Sequence, residues 1–238
     1  MKAALLEWFA DHGRDLPWRR TRDPYAILVS EVMLQQTQAS RVAPRYRAWL
    51  RRWPDLGSLA AASTADVIRE WQGLGYNRRA VSLQRAARRV AQHGWPDDLT
   101  ELPGVGRYTA DAVACFAFGR PVLPKDVNVR RVLQRSGMSF DHACAHALMD
   151  LAATVCIARV PRCEKCPLAR SCPSRGRRFE PLRKQGRFEG SFRQRRARAL
   201  RRITQRPRPL GQLDAEAVES LRRDGLVRVE EGLASLPD

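Results

Sequence analysis

Leu102-Pro103-Gly104-Val105-Gly106 is the stretch that decides the fold, because it joins two segments with helical periodicity. Two glycines that flank one apolar residue allow a tight turn, and the backbone N–H groups of such a turn point outward at the start of the next helix. Taken alone, the segment fits an ordinary helix–helix turn equally well. Because Arg107 and a helix follow it in a strongly basic chain, we interpret it as a clamp for DNA phosphates that does not read base sequence.

The charge of the chain indicates a polyanionic partner. Its 238 residues include 43 Lys and Arg against 25 Asp and Glu, a net charge of +18. Residues 173–209 carry 13 Arg and one Lys against two acids, whereas residues 210–238 carry three Arg against seven acids. This uneven distribution predicts a basic body, a very basic connector and a small acidic tail, with nucleic acid as the partner. A merely solvated basic surface is the alternative.

The sequence gives no sign of a membrane or export segment. No apolar run approaches the roughly 20 residues that a membrane helix needs. The first ten residues lack the basic, apolar and small-residue pattern of a secretory signal. We therefore expect a cytoplasmic, nucleoid-associated protein.

Residues 1–172 are predicted to be all-α, since no segment alternates strictly between apolar and polar residues. Asp23 before Pro24 is typical of a helix start, and Ser63 can cap a second helix. The predicted helices are Tyr25–Gln38, Ala65–Gln72, Arg78–Gln92, Ala110–Phe118, Val127–Gln134 and Ala143–Ile157.

The C-terminal part has a different pattern. Helical periodicity over Arg193–Ile203 and Ala215–Arg223 is followed by two short apolar segments, Gly225–Val229 and Leu233–Leu236, on either side of Gly232. Two helices followed by a hairpin predict a small winged-helix-like module.

Four of the six cysteines are spaced C-x6-C-x2-C-x5-C. Because the chain has no export signal, disulfides are disfavoured and the cluster of thiols indicates a metal site. One compact loop that supplies all four ligands favours a [4Fe-4S] cluster over zinc, which remains the alternative. Cys115 and Cys144 lie in apolar segments and are predicted to be buried. The predicted cluster ligands are Cys156, Cys163, Cys166 and Cys172.

Two acids stand out from their surroundings. Glu31 lies within the nearly continuous apolar helix 26–34, where burial favours a protonated carboxyl group and hence a general acid. Asp126 precedes the predicted helix at Val127, where the helix dipole favours the ionised form. A salt-bridged Glu31 and a plain helix cap at Asp126 are the structural alternatives.

Together these features resemble the helix–hairpin–helix (HhH-GPD) iron–sulfur DNA glycosylase superfamily. The resemblance runs from about Arg14 to Cys172, and it predicts a two-lobed all-α fold. Ser30-Glu31-Val32-Met33-Leu34-Gln35-Gln36-Thr37-Gln38 and Gly73-Leu74-Gly75-Tyr76 look like the adenine glycosylases of the MutY family. The other motifs are Leu16-Pro17-Trp18-Arg19, the glycine hairpin with its aspartate, and the cysteine loop.

The resemblance implies a role for each matched residue. Glu31 would protonate the adenine ring, Asp126 would stabilise the sugar cation, and Tyr108 and Asn128 would support the active site. Gln36 and Tyr76 would insert into the duplex. The other DNA-contacting positions are Arg19, Leu102, Gly104, Val105, Gly106 and Arg107. The implied partner is double-stranded DNA with a mismatched or damaged base, bound by a monomer.

Tyr108 lies where bifunctional relatives have a lysine that forms a Schiff base with the sugar. A tyrosine cannot form one, so the resemblance implies a monofunctional enzyme in which water is the final nucleophile. Lys125 replaces a residue of the usual V-D-G-N pattern and leaves weak lyase activity open.

Two alternatives to adenine removal remain open. The chain is too short for the C-terminal domain with which MutY proteins read 8-oxoguanine, and Tyr108 is equally typical of mismatch uracil/thymine glycosylases. A non-catalytic iron–sulfur DNA-binding protein is the other alternative. Deletion of residues 173–238 is expected to weaken DNA affinity more than it alters the chemical step.

The resemblance predicts the organisation of the body, and the charge distribution and periodicity of the C-terminal part predict the rest. The predicted parts are a helical domain over 20–125 with the helix–hairpin–helix at about 97–119, a cluster domain formed by 1–19 and 126–175, a basic connector over 176–209, and a C-terminal module over 210–238 that 192–209 can complete.

Overall fold

The computed structural model describes residues 1–180 and 186–238, so part of the predicted basic connector, residues 181–185, lies outside the described residues. The helices are α1 (Lys2–His12), α2 (Pro24–Leu34), α3 (Ala39–Arg52), α4 (Leu56–Ala61), α5 (Thr64–Glu70), α6 (Arg78–His93), α7 (Arg107–Phe116), α8 (Val127–Ser136), α9 (Ala145–Thr154), α10 (Phe192–Gln205) and α11 (Ala215–Arg223). The strands are β1 (Arg208–Pro209), β2 (Arg228–Glu230) and β3 (Leu233–Ser235). Within the described ranges, none of the helices has the length and apolar character that a membrane crossing requires.

The chain forms two compact units. The first holds Met1–Ile27 with 106–180, and the second holds Leu28–Val105 with 186–238. The sequence predicts divisions after residues 19 and 125, whereas the structure divides the chain after Ile27 and Val105. The second division therefore falls inside the glycine hairpin.

Four helices build the first unit. Helix α9 packs against α8 and α1, and the shared core includes Leu5, Val132, Leu148 and Leu151, each at most 1% exposed. Burial of each such side chain contributes about 1.5–3 kcal/mol. All segments of residues 1–172 that form regular structure are helical, which confirms the all-α prediction.

Helix α6 organises the second unit. Its stripe Ala80, Leu83, Ala87 and Val90 is buried, as the helical spacing predicts, and it packs against α4 and α5. Ser63 accepts a hydrogen bond from Asp66 N at 3.1 Å and caps α5, which confirms the predicted cap.

Helix α2 starts as predicted and ends earlier than predicted. Both Asp23 carboxylate oxygens accept backbone N–H groups of the first turn, from Tyr25 and Ala26, at 3.1 Å each. The predicted continuation to Gln38 is wrong, because the helix ends at Leu34. At this end of the helix, the guanidinium of Arg79 in α6 donates hydrogen bonds to the carbonyls of Val32 and Met33.

The tail forms the predicted two helices and hairpin, with one further strand. The antiparallel sheet has the order β1-β3-β2, and Ala234 of β3 pairs with both Arg208 and Val229. Its core is continuous with the body of the second unit. The buried cluster includes Ile68 of α5 and Val81 of α6 together with residues of the tail, among them Ala199, Leu200, Ile203, Val218 and Leu221.

Ion pairs join the basic α10 to the acidic segment that follows it. Arg195 contacts Asp214 at 2.9 Å and Glu216 at 2.7 Å, and Arg196 contacts Asp224 at 2.6 Å. The acidic tail therefore neutralises part of the connector's charge, and α10 belongs to the same module as α11.

Candidate functional site

Glu31 is a buried acid in an apolar helix. Its side chain is 4% exposed in α2, and its neighbours Val29, Val32 and Met33 are at most 3% exposed. Carboxyl groups are rarely buried so completely unless they have a specific task or partner. The burial that the apolar sequence predicts is therefore confirmed.

The Asp126 side chain accepts three hydrogen bonds. It caps α8: its Oδ1 atom accepts the backbone N–H groups of Asn128 at 2.9 Å and Val129 at 2.7 Å. Its Oδ2 atom accepts Asn128 Nδ2 at 2.7 Å. Three hydrogen bonds to one carboxyl group fix the direction in which it points.

The amide of Asn128 links Asp126 to the cysteine loop. Its Oδ1 atom accepts Arg131 Nη1 at 2.7 Å, which leaves Nδ2 to donate to Asp126. Arg131 also donates from Nε to the carbonyl of Cys156 at 3.0 Å and from Nη2 to the carbonyl of Ala152 at 2.9 Å. Sequence analysis missed Arg131, because one arginine among 39 carries no distinguishing signal.

The four predicted cluster ligands line one cavity of the first unit. Arg135 Nη1 lies 3.8 Å from Cys156 Sγ, and Gly176 N donates to Cys163 Sγ at 3.4 Å. Burial, together with the neighbouring thiols, raises the pKa of Cys166 to about 11, so this thiol would ionise only beside a strong positive charge.

The arrangement of donors tests which metal group would fit. Among the described residues, no three or more His, Cys, Asp or Glu side chains are arranged to hold a single metal ion. All ligands of one zinc ion would have to converge to about 2.3 Å from it. A cubane binds each cysteine through a different iron, so its ligands surround a larger group. Four thiols line one cavity, with N–H groups directed at two of the sulfur atoms, and this is the donor chemistry through which proteins hold iron–sulfur clusters.

The glycine hairpin exposes its backbone and buries its apolar side chains. Leu102 and Val105 are 2% and 6% exposed, whereas Gly104, Gly106 and Arg107 are exposed. Leu102 and Val105 can therefore meet DNA only through their backbone atoms. The segment before the hairpin is a single 3-10 turn, Leu99–Glu101, shorter than the helix that the resemblance predicts.

Tyr108 lies in the first turn of α7, directly after the hairpin, and is half-buried. No side chain caps this helix at Gly106. The partial positive charge of a helix N-terminus therefore faces whatever lies beyond the hairpin. This is the electrostatic feature that an approaching phosphate would meet.

Gln36 and Tyr76 lie on two exposed loops of the second unit. Both have left-handed backbones, with φ 55° and φ 46°. The Tyr76 side chain is 43% exposed, although tyrosines usually bury their rings. The structure thus gives both residues the exposure that insertion into a duplex requires.

Arg19 forms an ion pair instead of facing solvent. Its two terminal nitrogens donate to the two carboxylate oxygens of Asp150 at 2.8 Å and 2.7 Å. Burial by itself raises the pKa of Asp150, but the bonds from Arg19 and Arg14 outweigh it and hold that pKa below its usual range. Two of the five N–H groups of Arg19 are thus bonded to Asp150, and a third donates to the carbonyl of Arg14 at 2.9 Å.

Sequence analysis also missed a cavity beside this ion pair. It measures about 550 Å³, and Trp18, Cys115, Phe116 and His146 are among the lining residues. The His146 imidazole stacks on Phe116 at 4.3 Å, and burial, aided by the charge of Arg19, lowers its pKa to about 4. A neutral imidazole with aromatic neighbours suits an uncharged planar ligand. Cys115 is half-buried, so its predicted burial is wrong, whereas Cys144 is fully buried as predicted.

Comparison with known proteins matches this chain to DNA repair glycosylases. Residues 29–152 match the family described as HhH-GPD superfamily base excision DNA repair protein. The chain is 42% identical to an adenine DNA glycosylase of Mycobacterium tuberculosis, over 98% of this chain and 92% of that protein. It is 40% identical to an adenine DNA glycosylase of Mycolicibacterium smegmatis, with 94% and 91% covered, and 38% identical to that of Homo sapiens, with 80% and 42% covered.

Solved structures show the same fold. A thermostable thymine-DNA glycosylase superposes with a TM-score of 0.65 at 28% identity, covering 73% of this chain and 94% of that chain. An endonuclease III–DNA complex superposes with a TM-score of 0.63 at 22% identity, covering 73% and 92%. The resemblance stated from the motifs is confirmed: this chain belongs to the HhH-GPD superfamily of base excision DNA repair proteins.

Proposed function

We propose that the protein is a monofunctional DNA glycosylase that removes mispaired adenine, opposite 8-oxoguanine or guanine, and leaves an abasic site. The observation that carries the proposal is similarity over nearly the whole chain to proteins named adenine DNA glycosylase. The deeply buried Glu31 and the thrice-bonded Asp126 supply the two kinds of carboxyl group that the reaction needs.

The two acids have opposite tasks in this proposal. Glu31 gives a proton to the adenine ring, which makes the base a better leaving group. Asp126 stays ionised and stabilises the positive charge that develops on the sugar as the glycosidic bond breaks. Three N–H groups hold the Asp126 carboxyl group in place, whereas Glu31 is buried among apolar side chains, which favour its neutral form.

Water completes the reaction, because Tyr108 cannot form a Schiff base with the sugar. Lys125 is exposed, and its backbone carbonyl accepts a bond from Arg130 Nε at 3.1 Å. We therefore expect at most weak lyase activity. Borohydride trapping of wild type and Lys125→Gln would measure it.

Cys156, Cys163, Cys166 and Cys172 hold a [4Fe-4S] cluster in this proposal, and the cavity that they line supports it. A bound cluster would cross-link the loop and keep its shape. Arg159, which is exposed on that loop, is then presented to DNA phosphates without the entropy cost of ordering a free loop. The other exposed cations of the loop are Arg162, Lys165 and Arg170.

The exposed glycines of the hairpin and the start of α7 bind the phosphate backbone in this proposal, and the protein acts as a monomer on double-stranded DNA. Gln36 and Tyr76 enter the duplex beside the extruded nucleotide. Arg19 is assigned no direct DNA contact, since its side chain is only 11% exposed and two of its N–H groups bond to Asp150.

Single-turnover assays on duplexes with A:8-oxoG, A:G, T:G or U:G mispairs test the proposal. Removal of adenine by wild type, with Glu31→Gln about 10²–10⁴-fold slower, is the expected result for loss of a general acid. Activity on the pyrimidine mispairs alone would instead support a mismatch thymine/uracil glycosylase. Equal rates for Glu31→Gln and wild type would contradict the catalytic role of this acid.

A further inference from the structure

Arg79 binds two separate loops with one guanidinium. The Gln36 loop comprises residues 35–38, and the Tyr76 loop comprises residues 72–77. Nη1 donates to the carbonyls of Val32 at 2.8 Å, Met33 at 3.0 Å and Gln35 at 2.6 Å. This nitrogen thus bonds two carbonyl groups in the last turn of α2 and one at the start of the Gln36 loop.

The other two nitrogens reach the Tyr76 loop. Nη2 donates to the carbonyls of Leu74 at 3.2 Å and Gly75 at 2.9 Å, and also to Thr37 Oγ1 at 3.2 Å. Nε donates to the carbonyl of Tyr76 at 3.3 Å. Seven acceptors share the five N–H groups that the guanidinium offers in a fixed plane, so some of these N–H groups donate to two acceptors, and a lysine could not make this set of bonds.

The bonds of Arg79 flank the two strained residues. Gln36, with φ 55°, lies between Gln35 and Thr37, and both neighbours accept from Arg79. Tyr76, with φ 46°, accepts at its own carbonyl. Non-glycine residues in left-handed conformations persist only when their surroundings hold them.

Packing supports the same arrangement. The guanidinium carbon lies 5.2 Å from the centre of the buried Trp71 ring and 5.7 Å from the exposed Tyr76 ring. Trp71 Nε1 donates to the carbonyl of Gly75 at 3.1 Å, and Thr37 Oγ1 lies 3.3 Å from the carbonyl of Leu74. The two loops are therefore joined to each other as well as to Arg79.

We propose that Arg79 is a positioning residue that holds Gln36 and Tyr76 together in the conformations in which they enter the duplex. The inference rests on the proposed function, because it concerns how the target nucleotide is extruded. Side chains that are ordered before binding lose less conformational freedom when they insert, so more of the binding energy is left to unstack the base.

The test compares two substrates that differ in the need for extrusion. One duplex carries the target adenine opposite 8-oxoguanine, and the other carries it in a single-nucleotide bulge, where no pair must be broken. Single-turnover rates report the chemistry, and 2-aminopurine in place of the target adenine reports unstacking by its fluorescence. The variants are Arg79→Lys and Arg79→Gln, and Arg78→Gln, an exposed neighbour on α6, is the matched control.

On the mispaired duplex, we expect the single-turnover rates of both Arg79 variants to be lower than that of wild type by about tenfold or more, with a smaller change in 2-aminopurine fluorescence. On the bulge, we expect their rates to lie within about threefold of the wild-type rate. Arg78→Gln should act like wild type on both. In a Gln36→Ala/Tyr76→Ala background, Arg79→Gln should lower the single-turnover rate little further, because the side chains that Arg79 positions are absent.

Thr37→Val provides a second variant if the Arg79 variants fold poorly. It removes one acceptor of the guanidinium, and it should lower the rate on the mispaired duplex, by a smaller factor, while leaving the rate on the bulge unchanged. Equal slowing of both duplexes, or an undiminished effect of Arg79→Gln in the double-alanine background, would overturn the positioning role. A wild type inactive on adenine in both duplexes would instead refute the proposed function.

Discussion

Gly104→Ala should destabilise the hairpin for two separate reasons. Gly104 has φ 79°, a left-handed backbone that costs about 1–2 kcal/mol for an L-residue. A Cβ there would also lie 2.6 Å from Ser82 Cβ, and overpacking of this kind costs about 1–3 kcal/mol. Ser82 Cβ is fixed to the backbone of α6 and cannot rotate away. We therefore expect a total loss of stability of about 2–5 kcal/mol, reduced by about 0.4–1 kcal/mol because alanine restricts the unfolded chain.

Gly106→Ala is the matched control. Gly106 has φ −88°, and no atom lies within 4 Å of a Cβ placed there. Its stability should therefore match that of wild type within about 0.5 kcal/mol. Because Gly106 is exposed at the start of α7, the added methyl group should still weaken binding to undamaged duplex DNA if a phosphate approaches this backbone closely.

Urea unfolding and duplex binding at several salt concentrations measure these effects. Gly104→Ala should lower both stability and affinity, whereas Gly106→Ala should lower affinity alone. Adding Ser82→Gly to Gly104→Ala should recover the part of the loss due to overlap, about 1–3 kcal/mol in a double-mutant cycle. A stable Gly104→Ala, or one that Ser82→Gly does not rescue, would refute the reasoning about this turn.

Three further predictions concern the first unit. Arg131→Met should slow the chemical step about tenfold or more in single-turnover assays at saturating DNA, because it removes the anchor of Asn128; an unchanged rate would contradict this link. Burial lowers the pKa of His146 from its model-compound value of 6.5 to about 4, so the unfolded chain binds the extra proton first as the pH falls. Denaturant unfolding should therefore show full stability above pH 6.5 and a loss of about 3 kcal/mol by pH 4, a slope that His146→Gln should remove. Cys166→Ser should reduce the iron-to-protein ratio and the visible absorbance of the purified protein, whereas Ser at the buried Cys144 should leave both unchanged.

Local signals in the sequence predict most of the regular structure. The stripe of α6 and the caps at Asp23 and Ser63 agree with the structure because they depend on residues three or four positions apart. The bounds of α11, Ala215–Arg223, agree for the same reason. Burial of Glu31 also follows from its immediate neighbours.

Features that depend on distant residues could not be predicted in this way. Helix α2 ends at Leu34, and the carbonyl groups of Val32 and Met33 in its last turn bond to Arg79, more than 40 positions later. The pairing of Arg19 with Asp150 spans 131 positions. Arg19 belongs to a motif for which the resemblance implied DNA contact, whereas the fold bonds it to Asp150. The local sequence of Arg79 does not distinguish it from the many exposed arginines.

The shared core of the tail and the body has a consequence for truncation. Ile68 and Val81 are covered by the same cluster as Leu200, Ile203 and Leu221. A chain truncated before α10 would expose these apolar side chains to water, and we expect it to self-associate. Loss of activity in such a chain could come from a disturbed fold of the second unit as readily as from lost DNA affinity. Charge reversal of exposed arginines such as Arg198 and Arg201 keeps this core intact and therefore measures the contribution of the basic connector to DNA binding.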